Sequence, residues 1–141
     1  MKHPFAVPSR LSPDLARVLA YWRGLLRGAA EMPFWDDAKL TDLPDLADDL
    51  LLIDVFQRPE RFRFGVVGKA VGGDELSGRF LDETDLPWPL EYLRSQASAT
   101  IESVGPTCFR LDGDDRSYSR LLLPMWGDGR VSMILGAVEV D

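Results

Sequence analysis

The sequence predicts an α+β fold. Its core would be a five-stranded antiparallel sheet with short helices and one longer helix inserted between strands 2 and 3, preceded by an amphipathic N-terminal helix. Three observations point to it. First, the apolar run Leu50-Leu51-Leu52-Ile53-Asp54-Val55-Phe56 is followed, after a break at Gln57-Arg58-Pro59-Glu60, by the alternating start Arg61-Phe62-Arg63-Phe64. This is the pattern of a hairpin, and its second strand runs into a glycine-punctuated stretch that reaches Glu83. Second, a helical period fills 89–104. Third, the strands expected at 107–111, 117–125 and 130–140 are separated by Asp112-Gly113-Asp114-Asp115 and Trp126-Gly127-Asp128-Gly129, whose Asp/Gly chemistry suits antiparallel turns.

Taken in order, the first element starts after Ser12-Pro13, a capping residue followed by proline at the first helical position. Leu15, Val18, Leu19, Trp22 and Leu26 then trace one face of a helix over 12–29 that ends near Gly28. Arg17, Arg23 and Arg27 mark its solvated side. The apolar stripe needs a cover, either the chain's own sheet or a second copy. From Glu31 to Asp49 the chain is acidic, but its carboxylates lack the spacing and glycine of a calcium loop and read as caps and solvated faces. Leu43, Leu46 and Leu50 keep a helical spacing, which predicts a short helix leading into a first strand at Leu51–Phe56.

The second strand, Arg61–Gly68, becomes apolar on both sides at Gly65-Val66-Val67-Gly68, as a covered strand would. Gly68-Lys69-Ala70 is not a phosphate loop: position 63 is Arg where that pattern needs Gly, and position 70 is Ala where it needs Ser or Thr. Leu90, Leu93, Ala97, Ile101 and Val104 define the longer helix, from Pro89 to Val104, with Gly105-Pro106 as its stop.

Composition narrows the function. A chain of 141 residues suits one domain. Its 16 basic and 23 acidic residues give a net charge of −7, which repels phosphate backbones and anionic lipid heads, so neither nucleic acid nor membrane is an expected partner. Cys108 has no second cysteine to pair with, and His3 is the single histidine, so neither a disulfide nor a His-rich metal site is expected. The start MKHPFAVPSR lacks the apolar core of a signal peptide, and no stretch approaches the roughly 20 apolar residues of a membrane span. A cytoplasmic protein is the expectation.

The order of these elements resembles the Per-Arnt-Sim (PAS) family, whose five-stranded antiparallel sheet is interrupted after its second strand by short helices and one longer connecting helix. Over about residues 15–140 the chain is similar to a bacterial subfamily of stand-alone, single-domain PAS-like proteins. The stretches that carry the resemblance are Tyr21-Trp22-Arg23-Gly24, Leu51-Leu52-Ile53-Asp54-Val55, Phe62-Arg63-Phe64-Gly65-Val66-Val67-Gly68, Leu76-Ser77-Gly78-Arg79, and Leu122-Leu123-Pro124-Met125 before Ile134-Leu135-Gly136-Ala137. Val71-Gly72-Gly73-Asp74 departs from it, being glycine-rich where a short helix is expected.

The resemblance implies a non-enzymatic sensory or regulatory domain in signal transduction, which binds a small molecule between sheet and helices or contacts a protein partner. It also implies a flexible tail over 1–11, a single domain over 12–141, and a homodimer through the N-terminal helix. Haem-binding members supply an axial histidine from the long helix, and light-sensing flavin members a cysteine in the short-helix region. Residues 89–104 contain no histidine and residues 76–86 no cysteine, so no cofactor is expected. Cys108 reads as a buried, inert thiol.

Candidate ligand-binding residues are Phe64, Trp88, Tyr92, Phe109, Tyr118 and Trp126 as aromatic walls, with Arg120 as a polar contact for an anionic ligand. Arg120 stands next to Leu121-Leu122-Leu123, where an unpaired charge would be costly. The competing reading makes the aromatics core filler and turns Arg120 outward or onto a structural carboxylate. Two other functions stay open. One is a small cavity enzyme of isomerase or lyase type with Asp54 as base and Tyr118 as donor, against which the placement of the long helix argues. The other is a purely structural dimerisation module.

Overall fold

In a computed structural model that describes residues 5–141, helix α1 (Pro13–Gly24) precedes three 3-10 turns, Trp35–Asp37, Leu40–Asp42 and Ala47–Asp49. Strands β1 (Leu50–Phe56) and β2 (Arg61–Val67) follow, then 3-10 turns at Gly73–Glu75 and Leu81–Glu83, helix α2 (Leu93–Ser103), and strands β3 (Thr107–Asp112), β4 (Ser117–Gly127) and β5 (Arg130–Val140). The five strands pair antiparallel with one another, in the order β2-β1-β5-β4-β3. The five-stranded antiparallel sheet of an α+β chain is as the sequence predicts. The segment between β2 and β3 carries the chain from one edge of the sheet to the other across one face.

Both faces of the sheet are covered over β4 and β5, whereas β2, expected to be covered on both sides at Gly65–Gly68, leaves Val66 54% exposed. Leu51, Ile53, Tyr118, Leu122 and Ile134 pack in one layer with Leu93 and Ala97 of α2. Leu50, Leu121, Leu123, Met125 and Leu135 pack in the other with Leu15, Val18 and Trp22 of α1. Successive strand residues point to opposite faces, so a sheet covered twice requires the unbroken run Leu121-Leu122-Leu123.

Helix α1 spends its apolar stripe on this sheet. Leu15, Val18, Leu19 and Trp22 are all under 9% exposed, and the Trp22 indole donates to the Pro124 carbonyl at 2.9 Å. Of the two covers expected for the stripe, the chain's own sheet is the one that fills it. The Arg17–Asp45 ion pair and the Tyr21 phenol donating to Asp42 (2.6 Å) tie the solvated side of α1 to the acidic segment, and an Arg27–Asp37 pair does the same for the turn that follows the helix. Ser12 makes no side-chain cap; its hydroxyl donates to Glu139 at 2.9 Å. Of the tail expected over 1–11, residues 1–4, with His3, lie outside the described residues. Its remainder lies against the fold: the Phe5 carbonyl accepts the Cys108 N–H at 2.9 Å, and Val7 and Leu11 pack on the α1 layer.

Three local expectations change. The short helix over Leu43–Leu50 is a pair of tight turns closed by Leu46 N–H to Leu43 O and Asp49 N–H to Leu46 O, because Leu50 is already extended opposite Ala137 of β5. Helix α1 stops at Gly24, four residues before Gly28. Helix α2 begins at Leu93, not Pro89, and Val104 (φ 51°) takes the left-handed turn expected of Gly105. The β4–β5 hairpin has Asp128 (φ 54°) and Gly129 (φ 76°) at its tip, the two positive φ angles of the tight turn that matches strand twist. No helix among the described residues is long and apolar enough to cross a membrane.

Gly68 shows why the glycine-rich stretch is needed. A Cβ there would collide with the backbone of Asp48 and come 2.6 Å from the Ala47 carbonyl, while the Gly68 N–H donates to Leu50 O at 2.7 Å. The glycine lets the 3-10 turn pass directly over the end of β2. Gly68→Ala is expected to cost about 2–3 kcal/mol, as overpacking against rigid backbone does. Urea denaturation tests it; a loss under about 0.5 kcal/mol would show that the turn is free to move.

Candidate functional site

The charge that the sequence placed in β4 is the centre of the site. Tyr118, Arg120 and Leu122 share the face of β4 that α2 covers, and Arg120 is 0% exposed. Its Nε donates to Gln96 Oε1 at 2.7 Å, its Nη1 to the Pro89 carbonyl at 3.0 Å and its Nη2 to the Glu91 carbonyl at 2.9 Å. All three acceptors are neutral, and among the described residues Arg120 makes no ion pair. Burial pulls the guanidinium down to about 10, so it is a cation at neutral pH.

A second set of bonds aims this side chain. The Gln96 amide nitrogen donates to Thr107 Oγ1 (3.1 Å) and to the Arg120 carbonyl (3.0 Å). The Thr100 and Thr107 hydroxyls meet at 2.7 Å, and Thr100 donates to the Gln96 carbonyl at 2.9 Å. Gln96, Thr100 and Thr107 are each at most 2% exposed. This polar layer joins α2 to β3 and β4, and its members satisfy one another.

Aromatic rings surround the cation. Arg120 lies 5.3 Å from the Phe109 ring centre and 5.7 Å from that of Tyr118. Trp88 stands edge-on to Tyr118 at 4.6 Å, and Tyr92 edge-on to Phe109 at 5.7 Å. Five of the seven predicted residues, Trp88, Tyr92, Phe109, Tyr118 and Arg120, thus converge. Phe64 is fully buried in the same layer, but on β2, with β1 and β5 between it and β4. Trp126 is not part of the group: after an irregularity in register at Met125/Trp126 it sits against Phe34, ring centres 4.9 Å apart.

The reading that turns Arg120 outward or onto a carboxylate is overturned by its burial and its neutral partners. The pairing of Asp54 with Tyr118 is also absent. Asp54 lies on the opposite face of β1 from Ile53 and Val55, bonded to Arg63 at 3.0 Å. The Tyr118 hydroxyl instead sits 3.3 Å from Glu91 Oε1 and 3.4 Å from the Glu91 carbonyl. Cys108 is 8% exposed, and burial raises its thiol above the usual range, which keeps it a thiol.

The sequence reading missed Gln96, Thr100, Thr107 and Glu91. A signal existed for two of them. Leu93, Gln96, Ala97 and Thr100 fall on one helical face, so polar side chains at 96 and 100 share the buried stripe.

Two recesses flank the segment Pro87–Tyr92 that covers Arg120. One, of about 370 Å³, opens between β2 and α2 and is lined by Phe62, Leu86, Tyr92 and Ser95. The other, of about 450 Å³, is lined by Val71, Leu76, Trp88 and Leu90.

Burial holds the Tyr118 phenol up to about 12, first because desolvation penalises the phenolate. The native state therefore keeps this proton where the unfolded chain, near 10, has lost it. The stability linked to Tyr118 is intact below pH 10 and falls by about 2–3 kcal/mol as pH rises from 10 to 12. In an ultraviolet phenolate titration the step assigned to Tyr118, by difference from Tyr118→Phe, should appear near pH 12. A step near 10 in the folded protein would show the ring to be hydrated.

Comparison of the chain with protein-family models, curated proteins and solved structures gives no match in any of the three.

Proposed function

We propose that this chain is a non-enzymatic PAS-like sensory and regulatory domain that takes a small-molecule signal at the α2 face of its sheet and passes it to a protein partner by changing its contacts. Short turns and a longer helix interrupt the sheet after its second strand, which supports the family resemblance. The observation that carries the reading is the Arg120 cluster. One buried side chain holds the carbonyls of Pro89 and Glu91, and so fixes the segment through which α2 joins the rest of the fold. Whatever competes for that side chain frees the Pro87–Tyr92 segment that leads into α2, and so changes the outer surface offered to a partner.

Native mass spectrometry of the purified protein, together with thermal shift across a metabolite panel, tests the proposal. A retained molecule, or a melting rise of a few degrees that saturates with concentration, is the expected result. Protein without a retained molecule that is indifferent to the whole panel would sink the small-molecule reading.

A further inference from the structure

Arg120 is a buried cation that directs all three of its hydrogen bonds to neutral acceptors, and the Glu91 carboxylate acts on it only through space. Taking a guanidinium out of water costs several kcal/mol, which a carboxylate usually offsets. The nearest acid, Glu91, presents its backbone carbonyl to Arg120 and directs its carboxyl group to the Tyr118 hydroxyl. The two outer nitrogens, Nη1 and Nη2, meet backbone carbonyls two residues apart in one covering turn. That edge of a guanidinium is the fork whose spacing matches the two oxygens of a carboxylate.

The Nε side of the fork is positioned by a bond other than those to its cover. Nε is fixed by the Gln96 side chain, which Thr107 and the Arg120 carbonyl hold from the strands, while the Gln96 N–H donates to Tyr92 O at 3.1 Å and ties the first turn of α2 to the cover. Releasing the two carbonyls would leave the Nε–Gln96 bond in place, so a ligand would find the group already held at one end. The cover has a natural joint as well: Tyr92, where it meets α2, holds φ 62° and is 62% exposed. Its rings and the strand's rings supply apolar walls, and the recesses on both sides give it room to move.

Resting on the regulatory reading above, we infer that Arg120 is the binding point for a small organic monocarboxylate, whose acid group replaces the carbonyls of Pro89 and Glu91 and releases the covering segment Pro87–Tyr92. One cation matches one charge. A phosphate monoester carries nearly two at neutral pH and would bring the excess into a chain of net charge −7.

Benzoate is the probe, followed by ¹H–¹⁵N NMR of the arginine Nε–H groups and backbone amides, with chloride and inorganic phosphate as controls. The expected result is a saturable shift of the Arg120 Nε–H together with the amides of Leu90–Leu93, which phosphate does not reproduce. Arg120→Lys, which keeps the charge but not the fork, should weaken binding at least tenfold. Glu91→Gln, at a partly exposed position, removes a neighbouring negative charge and should tighten it several-fold. An Arg120 Nε–H that stays silent to tens of millimolar benzoate in the folded protein, or shifts confined to exposed arginines, would overturn the carboxylate site. A panel metabolite that raises the melting temperature while Arg120 stays silent would also overturn it, yet would leave the regulatory reading standing.

Discussion

Trp22→Glu should lower the melting temperature by at least about 15 °C, and at the upper end of the expected loss leave the chain unfolded at room temperature. Three costs add at this position. The indole is 4% exposed in the layer between α1 and the sheet, where truncating a large aromatic costs about 3–5 kcal/mol. The Pro124 carbonyl loses its donor, worth about 1–3 kcal/mol when buried. The new carboxyl group then enters a layer of leucines, where it must stay protonated or drag in water. Trp22→Phe separates these effects: it keeps a ring, loses the indole donor, and should cost about 1–2 kcal/mol. Circular dichroism melts with light scattering decide the matter. An unchanged melting temperature for Trp22→Glu would remove Trp22 from the core. A loss of mass without a loss of melting temperature would return the stripe to a subunit interface.

That stripe marks how far the sequence was legible. Leu15, Val18, Leu19 and Trp22 announce a buried helix face, yet any apolar surface can cover such a face, so its occupant could not be read from the helix alone. The missing clue lay in β4. A strand with one wet face alternates, whereas Leu121-Leu122-Leu123 does not, and read strictly this run demands a cover on each side. The last strand, Arg130–Val140, was readable to the residue because Asp128-Gly129 is a strong local turn signal.

The start of α2 was illegible for the opposite reason. Leu90 keeps the helical period and is 2% exposed, but it is buried from a turn. In a helix from Pro89, the carbonyls of Pro89 and Glu91 would accept N–H groups four residues on. Arg120 takes both of them, and a tertiary bond to a charge outweighs a few residues of helix propensity. The same fact explains the site. Aromatics around a strand arginine could be found by composition, and five of seven meet. Gln96 was hidden because a polar residue on a helical stripe looks like an interruption until its partner on another strand is known. Trp126 was misgrouped because a shift in strand register has no clear sequence signal.

Arg120→Ala is the second large effect, with an expected loss of about 3–5 kcal/mol, from buried acceptors left without a donor and from the space left behind. Alanine leaves Gln96 Oε1 and the carbonyls of Pro89 and Glu91 without their donors and opens a space under Phe109 and Tyr118. Arg120→Met, which fills most of that space but donates to none of the three, should fall between alanine and wild type. A cavity alone would raise amide exchange throughout the layer. Loss of the latch should raise it first at Leu90–Leu93, where the bonds are lost, while β4 and β5 keep their protection. The Arg120→Ala and Gln96→Ala losses should also fail to add, the double variant costing about 1–2 kcal/mol less than their sum, because the two residues share the Nε–Oε1 bond. Additive losses, or exchange that rises evenly over the sheet, would reduce Arg120 to a space-filling residue. The carbonyls of Pro89 and Glu91 would then hold their turn by other means, and no ligand at Arg120 could release the segment that leads into α2.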